Sequence, residues 1–151
     1  MNEQMKKRAR SEELVEARTL IRKAGLRSTG PRVAVLRVLR RAAGPQSHAE
    51  IYDALAAEGF DRATVYRNLV DMAEAGLLNR SDLGDHVWRF ELRGETGPHT
   101  AEHPHFVCTD CGDVSCLPGA EVRIKPGRGA PRGAGVKGVE VQIKGRCDDC
   151  A

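Results

Sequence analysis

Nine residues, His103–Cys111, read H-P-H-F-V-C-T-D-C and hold two histidines at i, i+2 and two cysteines at i, i+3. A second cysteine pair, Cys147 and Cys150, stands near the C-terminus. Four thiolates in two C-x-x-C knuckles are the ligand set of a structural zinc site, tetrahedral and closed to substrate. Gly112 follows the first knuckle and suits its tight turn. Zinc there would join the start of the C-terminal region to its end. His103 and His105 would project to one face of a strand, so both imidazoles can reach one ion. Imidazole suits zinc, iron, nickel or copper. Glu91, closing an earlier strand, is a candidate carboxylate ligand for the same ion. Cys116 is the odd fifth cysteine, read first as a small buried hydrophobe and second as a ligand. His86 and His99 have no partner pattern and are read as surface residues.

The compartment follows from what surrounds these groups. No apolar run approaches the roughly 20 residues needed to span a bilayer. The N-terminal MNEQMKKRARSEE carries charge with no apolar stretch behind it, so it is not a secretory signal. The expectation is a reducing cytoplasm, where paired C-x-x-C elements read as metal ligands sooner than disulfides. The 151 residues suffice for one ordinary domain or two small ones, and 4% aromatic content makes the core aliphatic. Lys plus Arg is 24 against 21 for Asp plus Glu, a net +3 too mild to establish a nucleic-acid partner by itself. Its distribution says more. The first third holds Lys6, Lys7, Arg8, Arg10, Arg18, Arg22, Lys23, Arg27, Arg32, Arg37, Arg40 and Arg41.

The elements before the cysteines are helical. The spacing predicts a first helix over 11–25, capped by Ser11, with Leu14, Ala17, Ile21 and Ala24 on one stripe and Gly25 as its stop. Thr29-Gly30-Pro31 opens a second helix, with Val33, Leu36 and Leu39 buried, ending at Gly44-Pro45. Ser47-His48-Ala49-Glu50 is a capping box that opens a third, with Ile51 and Leu55 inward. After a turn at residues 59–62, a fourth helix runs over 63–76 with Val65, Leu69, Met72 and Ala73 on its apolar side.

Two compact helices across a short Gly-bearing turn form the helix-turn-helix pattern. The second helix of such a pair offers its first residues to base edges in the major groove. Here they are Thr64, Tyr66 and Arg67. Arginine reads guanine bidentately, and tyrosine touches thymine methyls or phosphate. The plain alternative is a helical hairpin with a solvated polar face. Residues 77–92 then read as two strands about a turn, with Trp88, Phe90 and Leu92 on one face and Val87, Arg89 and Glu91 on the other. A hairpin directly after the recognition helix makes a winged helix. Its acidic tip, Asp82–His86, is not expected to grip phosphate. Residues 93–102 read as a linker. Residues 118–138 are a Gly/Pro-rich basic loop with no useful helix, and Val139, Val141 and Ile143 alternate as a strand delivering Cys147.

The segments 25–32, Ala63-Thr64-Val65-Tyr66-Arg67-Asn68-Leu69, Phe90-Glu91-Leu92, His103–Gly112 and the Cys147/Cys150 pair together resemble the ferric uptake regulator family of metal-sensing repressors. The resemblance runs from about residue 14 to 150. It implies an α+β chain: a winged-helix DNA-binding domain (1–92), a hinge (93–102) and a small, here mostly β, dimerisation domain (103–151). It implies a homodimer on a near-palindromic double-stranded operator. Tyr66 and Arg67 match recognition-helix contacts, and Arg27 a basic residue near the minor groove. Cys108, Cys111, Cys147 and Cys150 match the structural Zn2+ ligands. Glu91, His103 and His105 match a regulatory site for Fe2+, Mn2+ or Zn2+.

The chain departs from the family at several positions. A further regulatory histidine falls on Pro45, with His48 three residues on as the candidate replacement. The aspartate of the peroxide-sensing branch falls on Cys116, whose sulfur would soften the site toward zinc or a redox role. The family's third metal site finds Val139, and the dimerisation helix is replaced by the Gly/Pro loop.

The function expected is a metal-responsive repressor, not an enzyme, with no membrane or small-molecule substrate as partner. One alternative is a winged-helix DNA-binding protein whose zinc is only structural. The other is a 2-His-1-carboxylate metalloenzyme built on His103, His105 and Glu91, for which no general base or substrate pocket is legible.

Overall fold

A computed structural model describes residues 2–93, 104–117, 119–132 and 141–151. His99, His103, Val139 and linker residues 94–102 lie outside the described residues. The chain is α+β. Helices α1 (Glu3–Lys23), α2 (Gly30–Arg41), α3 (His48–Ala54) and α4 (Arg62–Glu74) precede strands β2 (Leu78–Asp82) and β3 (Trp88–Leu92), with a two-residue strand β1 (Gln46–Ser47) before α3. Strands β4 (His105–Cys108), β5 (Val114–Cys116) and β6 (Gln142–Gly145) form a second sheet. Among the described residues, no helix is long and apolar enough to cross a membrane.

Helix α1 starts eight residues before the expected 11, and Ser11 lies inside it rather than capping it. Residues 3–10 are mostly straight-chain or alanine, which lose little side-chain freedom in a helix. Lys7 also reaches back to Glu3 one turn earlier, at 3.5 Å. Ala17 and Ile21 are fully buried and Leu14 and Ala24 pack beside them, so the expected stripe faces the core. Gly25 takes φ +80°, the left-handed conformation that ends the helix without a Cβ penalty.

The capping box of α3 forms in both directions. Glu50 N donates to Ser47 Oγ at 3.2 Å, and Ser47 N donates to Glu50 Oε2 at 2.7 Å. Replacing Ser47 with alanine is expected to cost about 1 kcal/mol, read as a lower urea midpoint at unchanged m-value. A midpoint equal to wild type would mean the cap is energetically idle.

One core holds the helices to the first sheet. It comprises Val33, Val35, Leu36, Leu39, Ile51, Val65, Leu69, Met72 and Phe90 with their neighbours. The first sheet has strand order β1-β3-β2, with Gln46 opposite Phe90 and Leu78 opposite Leu92. Strand β1 had no sequence signal, because two residues are too few to show a period. The second sheet has order β5-β4-β6, antiparallel on one side of β4 and parallel on the other. The described part of the Gly/Pro loop, 119–132, carries neither helix nor strand.

The two sheets meet closely. Gln142 Nε2 donates to the Asp82 carbonyl at 3.1 Å. Gly44 passes so near β5 that a Cβ added there would stand 2.8 Å from the Val114 carbonyl oxygen. Gly44→Ala must therefore move backbone against backbone. The expected loss is about 1–3 kcal/mol, as for other overpacked sites, measured by thermal unfolding. An unchanged melting temperature would refute this contact.

Candidate metal centre and nucleic-acid interface

Two groups of ligand-type side chains are assembled. In the first, the sulfurs of Cys108, Cys111, Cys147 and Cys150 all lie within 4.8 Å of one another. Strand β4 delivers Cys108, and the tight turn after it delivers Cys111. That turn is closed by Gly112 N donating to the Cys108 carbonyl at 3.0 Å. Pairing of β6 with β4 brings the C-terminal knuckle alongside, and Thr109 N donates to the Gly145 carbonyl at 2.8 Å.

Sulfurs on a tetrahedral zinc, at about 2.3 Å from the ion, stand ~3.8 Å apart. Cys111 Sγ and Cys147 Sγ are 3.8 Å apart, far longer than the roughly 2.05 Å of a disulfide. The donor set and spacing therefore fit a zinc ion. The backbone is already arranged for thiolate. N–H groups of Cys111, Cys147 and Asp110 aim at Cys108 and hold its thiol at about 6. Cys150 is pushed up to about 12 because the neighbouring Cys147 and Cys111 sulfurs crowd it. Four thiolates so close repel one another unless a cation sits among them.

The second group joins the two sheets. Glu91 on β3, His105 on β4 and Cys116 on β5 place their ligand atoms within 4.8 Å of one another. His105 Nε2 is 3.4 Å from Glu91 Oε2, and Cys116 Sγ donates to the same oxygen at 3.9 Å. His105 and Glu91 are buried at 6% and 9% exposure. His105 and Cys116 are register partners across β4 and β5, so they share a face. Of the two readings of Cys116, the structure places its half-buried sulfur beside polar ligand atoms. The residues fit a divalent ion in donor type and convergence.

The Cys116 sulfur and the Glu91 carboxylate raise His105 from 6.5 to about 10. A raised value means this contribution to stability is full below pH 6.5 and is lost as pH climbs through about 10. An ion at Nε2 must displace that proton, so affinity at this site is expected to rise from pH 6.5 to 8.5 with proton release. Calorimetry in two buffers of different ionisation enthalpy measures this. Affinity independent of pH would count against His105 as a ligand.

His48 lies elsewhere. Its Nε2 donates to the Arg62 carbonyl at 3.0 Å, and its ring meets Tyr66 edge-on with centroids 5.3 Å apart. It sits in the first turn of α3, where the capping box fixes it against the start of α4. It therefore braces the helix-turn-helix and is not a member of the Glu91 group. Pro45 is fully buried and offers no donor.

The helix-turn-helix presents α4 by its first turn. Asp61 caps it, accepting from Thr64 N at 2.9 Å and Thr64 Oγ1 at 2.7 Å. The Thr64 hydroxyl proton is thus already committed to the cap. Those hydrogen bonds from Thr64 hold the Asp61 carboxyl below its usual range. Tyr66 is 44% exposed, and Arg67 and Arg27 are exposed. Arg32 donates to the Arg27 carbonyl and to Asp71 Oδ2, at 2.9 and 2.8 Å, tying the Arg27 turn to α4.

Other arginines of α2 are spent internally. Arg37 pairs with Glu58, Arg40 with Glu16 and Arg41 with Glu13. The wing tip uses its acids for its own turn. Asp82 accepts from Gly84 N and His86 N, and Asp85 holds Arg89 at 2.8 Å.

The architecture is that of a winged-helix protein carrying a cysteine-rich, metal-ligating C-terminal sheet. The sequence pattern of the Ferric uptake regulator family matches residues 23–144, and the chain belongs to that family of metal-responsive transcriptional regulators. It is 33% identical over 136 residues to the ferric uptake regulation protein of Cupriavidus metallidurans, covering 86% of this chain and 92% of that protein. It is 38% identical over 97 residues to the corresponding protein of Bordetella parapertussis, covering 62% of this chain and 66% of that one. Among solved structures, the ferric uptake regulator from Pseudomonas aeruginosa with manganese has a TM-score of 0.60 at 30% identity, covering 87% of this chain and 98% of that chain. These relatives are transcription regulators rather than enzymes.

Proposed function

We propose that the chain is a cytoplasmic repressor that binds operator DNA as a homodimer when a divalent ion occupies the Glu91–His105 site. The observation that carries this reading is the 3.4 Å approach of Glu91 Oε2, on the winged-helix sheet, to His105 Nε2, on the cysteine-bearing sheet. A bound ion would supply positive charge and a fixed coordination geometry between the sheets. Glu91 and His105 then hold the two units in one relative pose, with residues 93–102 as the hinge. In a dimer that pose sets the separation of the two α4 helices, which must match half-sites about one helical turn apart. Arg67 and Tyr66 read base edges, and Arg27 contacts the backbone or minor groove. Cys108, Cys111, Cys147 and Cys150 hold a zinc ion that stays in place throughout. The manganese-containing Pseudomonas aeruginosa relative supports a divalent ion as the effector class.

The test is operator binding with and without added metal, for wild type and for His105→Ala and Glu91→Ala. Wild type is expected to bind more tightly with metal. Either variant should lose that dependence while keeping one equivalent of zinc. One observation favours a second reading: at 3.4 Å, Glu91 Oε2 and His105 Nε2 are close enough to form an ion pair in their own right. If that pair alone fixes the pose, the zinc is purely structural and DNA affinity is the same with and without added metal. That result would overturn the proposal.

A further inference from the structure

We infer that Cys116 is a direct ligand in the inter-sheet site, making it a mixed sulfur–nitrogen–oxygen site selective for zinc over manganese. This rests on the reading that Glu91 and His105 take an exchangeable ion. Three observations carry it. Cys116 is paired in register with His105, so the strand pleat directs both side chains to one face. Its sulfur is 3.9 Å from Glu91 Oε2, the same oxygen that lies 3.4 Å from His105 Nε2. A tetrahedral zinc spaces N and O ligands ~3.3 Å apart and S and O ligands ~3.6 Å apart. These two spacings therefore lie within a few tenths of an ångström of those an ion requires, and all three ligand atoms lie within 4.8 Å of one another.

Three donors come from three strands: β3 gives oxygen, β4 nitrogen and β5 sulfur. Ligand chemistry then sets the selectivity. Thiolate and imidazole favour zinc, whereas manganese prefers carboxylate, carbonyl and water. A buried manganese site would place a hard oxygen donor where this chain has sulfur. The ion would be gained as the Cys116 thiol and the His105 imidazolium each give up a proton to solvent.

The experiment uses the full chain with one zinc in the four-cysteine site, titrated with Co2+ and followed by absorption. Wild type is expected to take one cobalt, with visible ligand-field bands and a near-ultraviolet sulfur-to-cobalt charge-transfer band. Cys116→Ser should keep the ligand-field bands and lose the charge-transfer band. Cys116→Asp should lower the zinc-to-manganese affinity ratio by at least about tenfold, the scale on which even outer partners of a metal site act. Zinc analysis before and after confirms that the four-cysteine site is unchanged, so the difference spectrum belongs to Cys116. Ligand-field bands without charge transfer in wild type, or a charge-transfer band that survives in Cys116→Ser, overturns the Cys116 assignment and leaves the Glu91–His105 reading standing. No second metal taken up at all overturns both.

Discussion

Cys108→Ser is expected to abolish zinc retention and with it the fold of the second sheet, while the helices persist. Cys108 is 2% exposed, and among the described residues beyond 92 only Pro104, His105 and Cys108 are buried. The hydrophobic cluster runs from Ala17 to Phe90 and does not extend into β4, β5 or β6. Three short strands cannot bury enough apolar surface to offset chain entropy unaided. A structural zinc site contributes on the order of 10 kcal/mol of folding free energy, and regions built on one are unfolded without it. Serine oxygen is a poor substitute for thiolate toward zinc. The readouts are metal content, retained helical circular dichroism, and loss of dispersed amide signals from 105–108 and 142–145. A Cys108→Ser protein, or a chelated wild type, that keeps those signals would show that something other than the ion holds the sheet.

Phe90→Ala is expected to cost about 3–5 kcal/mol, most of what a domain of this size has to spare. Phe90 is 1% exposed and lies under the helices at the centre of the core. Its neighbour Glu91 faces the second sheet, so a collapse at Phe90 also misplaces a proposed ligand. Trp88 is the control. It shares the Phe90 face of β3 but lies beyond the helices, 46% exposed, with the Arg80 guanidinium 4.2 Å from its ring centroid. Trp88→Ala is expected to cost no more than about 1 kcal/mol, the scale of an exposed cation–π pair. Denaturant titrations of both variants measure this. Equal losses would mean that the face of the strand, not its depth, sets the energetics.

Features written into the spacing of near neighbours were legible in the sequence. The capping box at Ser47 and Glu50 needs only residues three apart, and the structure forms it in both directions. The stripes Ala17/Ile21 and Val65/Leu69/Met72 are periodic, so their faces could be read before any partner was known. The two cysteine knuckles each carry their own turn, and four thiols imply a common ion whatever lies between them. Other features depend on which distant segments pack together. The early start of α1 turns on the side-chain propensity of residues 3–10, which carries the helix through Ser11. By composition the first third is a basic surface, yet Arg32, Arg37, Arg40 and Arg41 pair with acids between 21 and 39 residues away.

His48 and Cys116 mark the division most clearly. By sequence either could have joined Glu91. Capping of α3 turns His48 toward Arg62 and Tyr66, while the β4–β5 register and the approach of the two sheets bring Cys116 to Glu91. Which side chains can ligate is legible in the chain alone, because donor chemistry belongs to the residue. Which donors share a site is a property of the folded molecule, because convergence within a few ångströms is set by register and packing between segments that the chain does not connect locally.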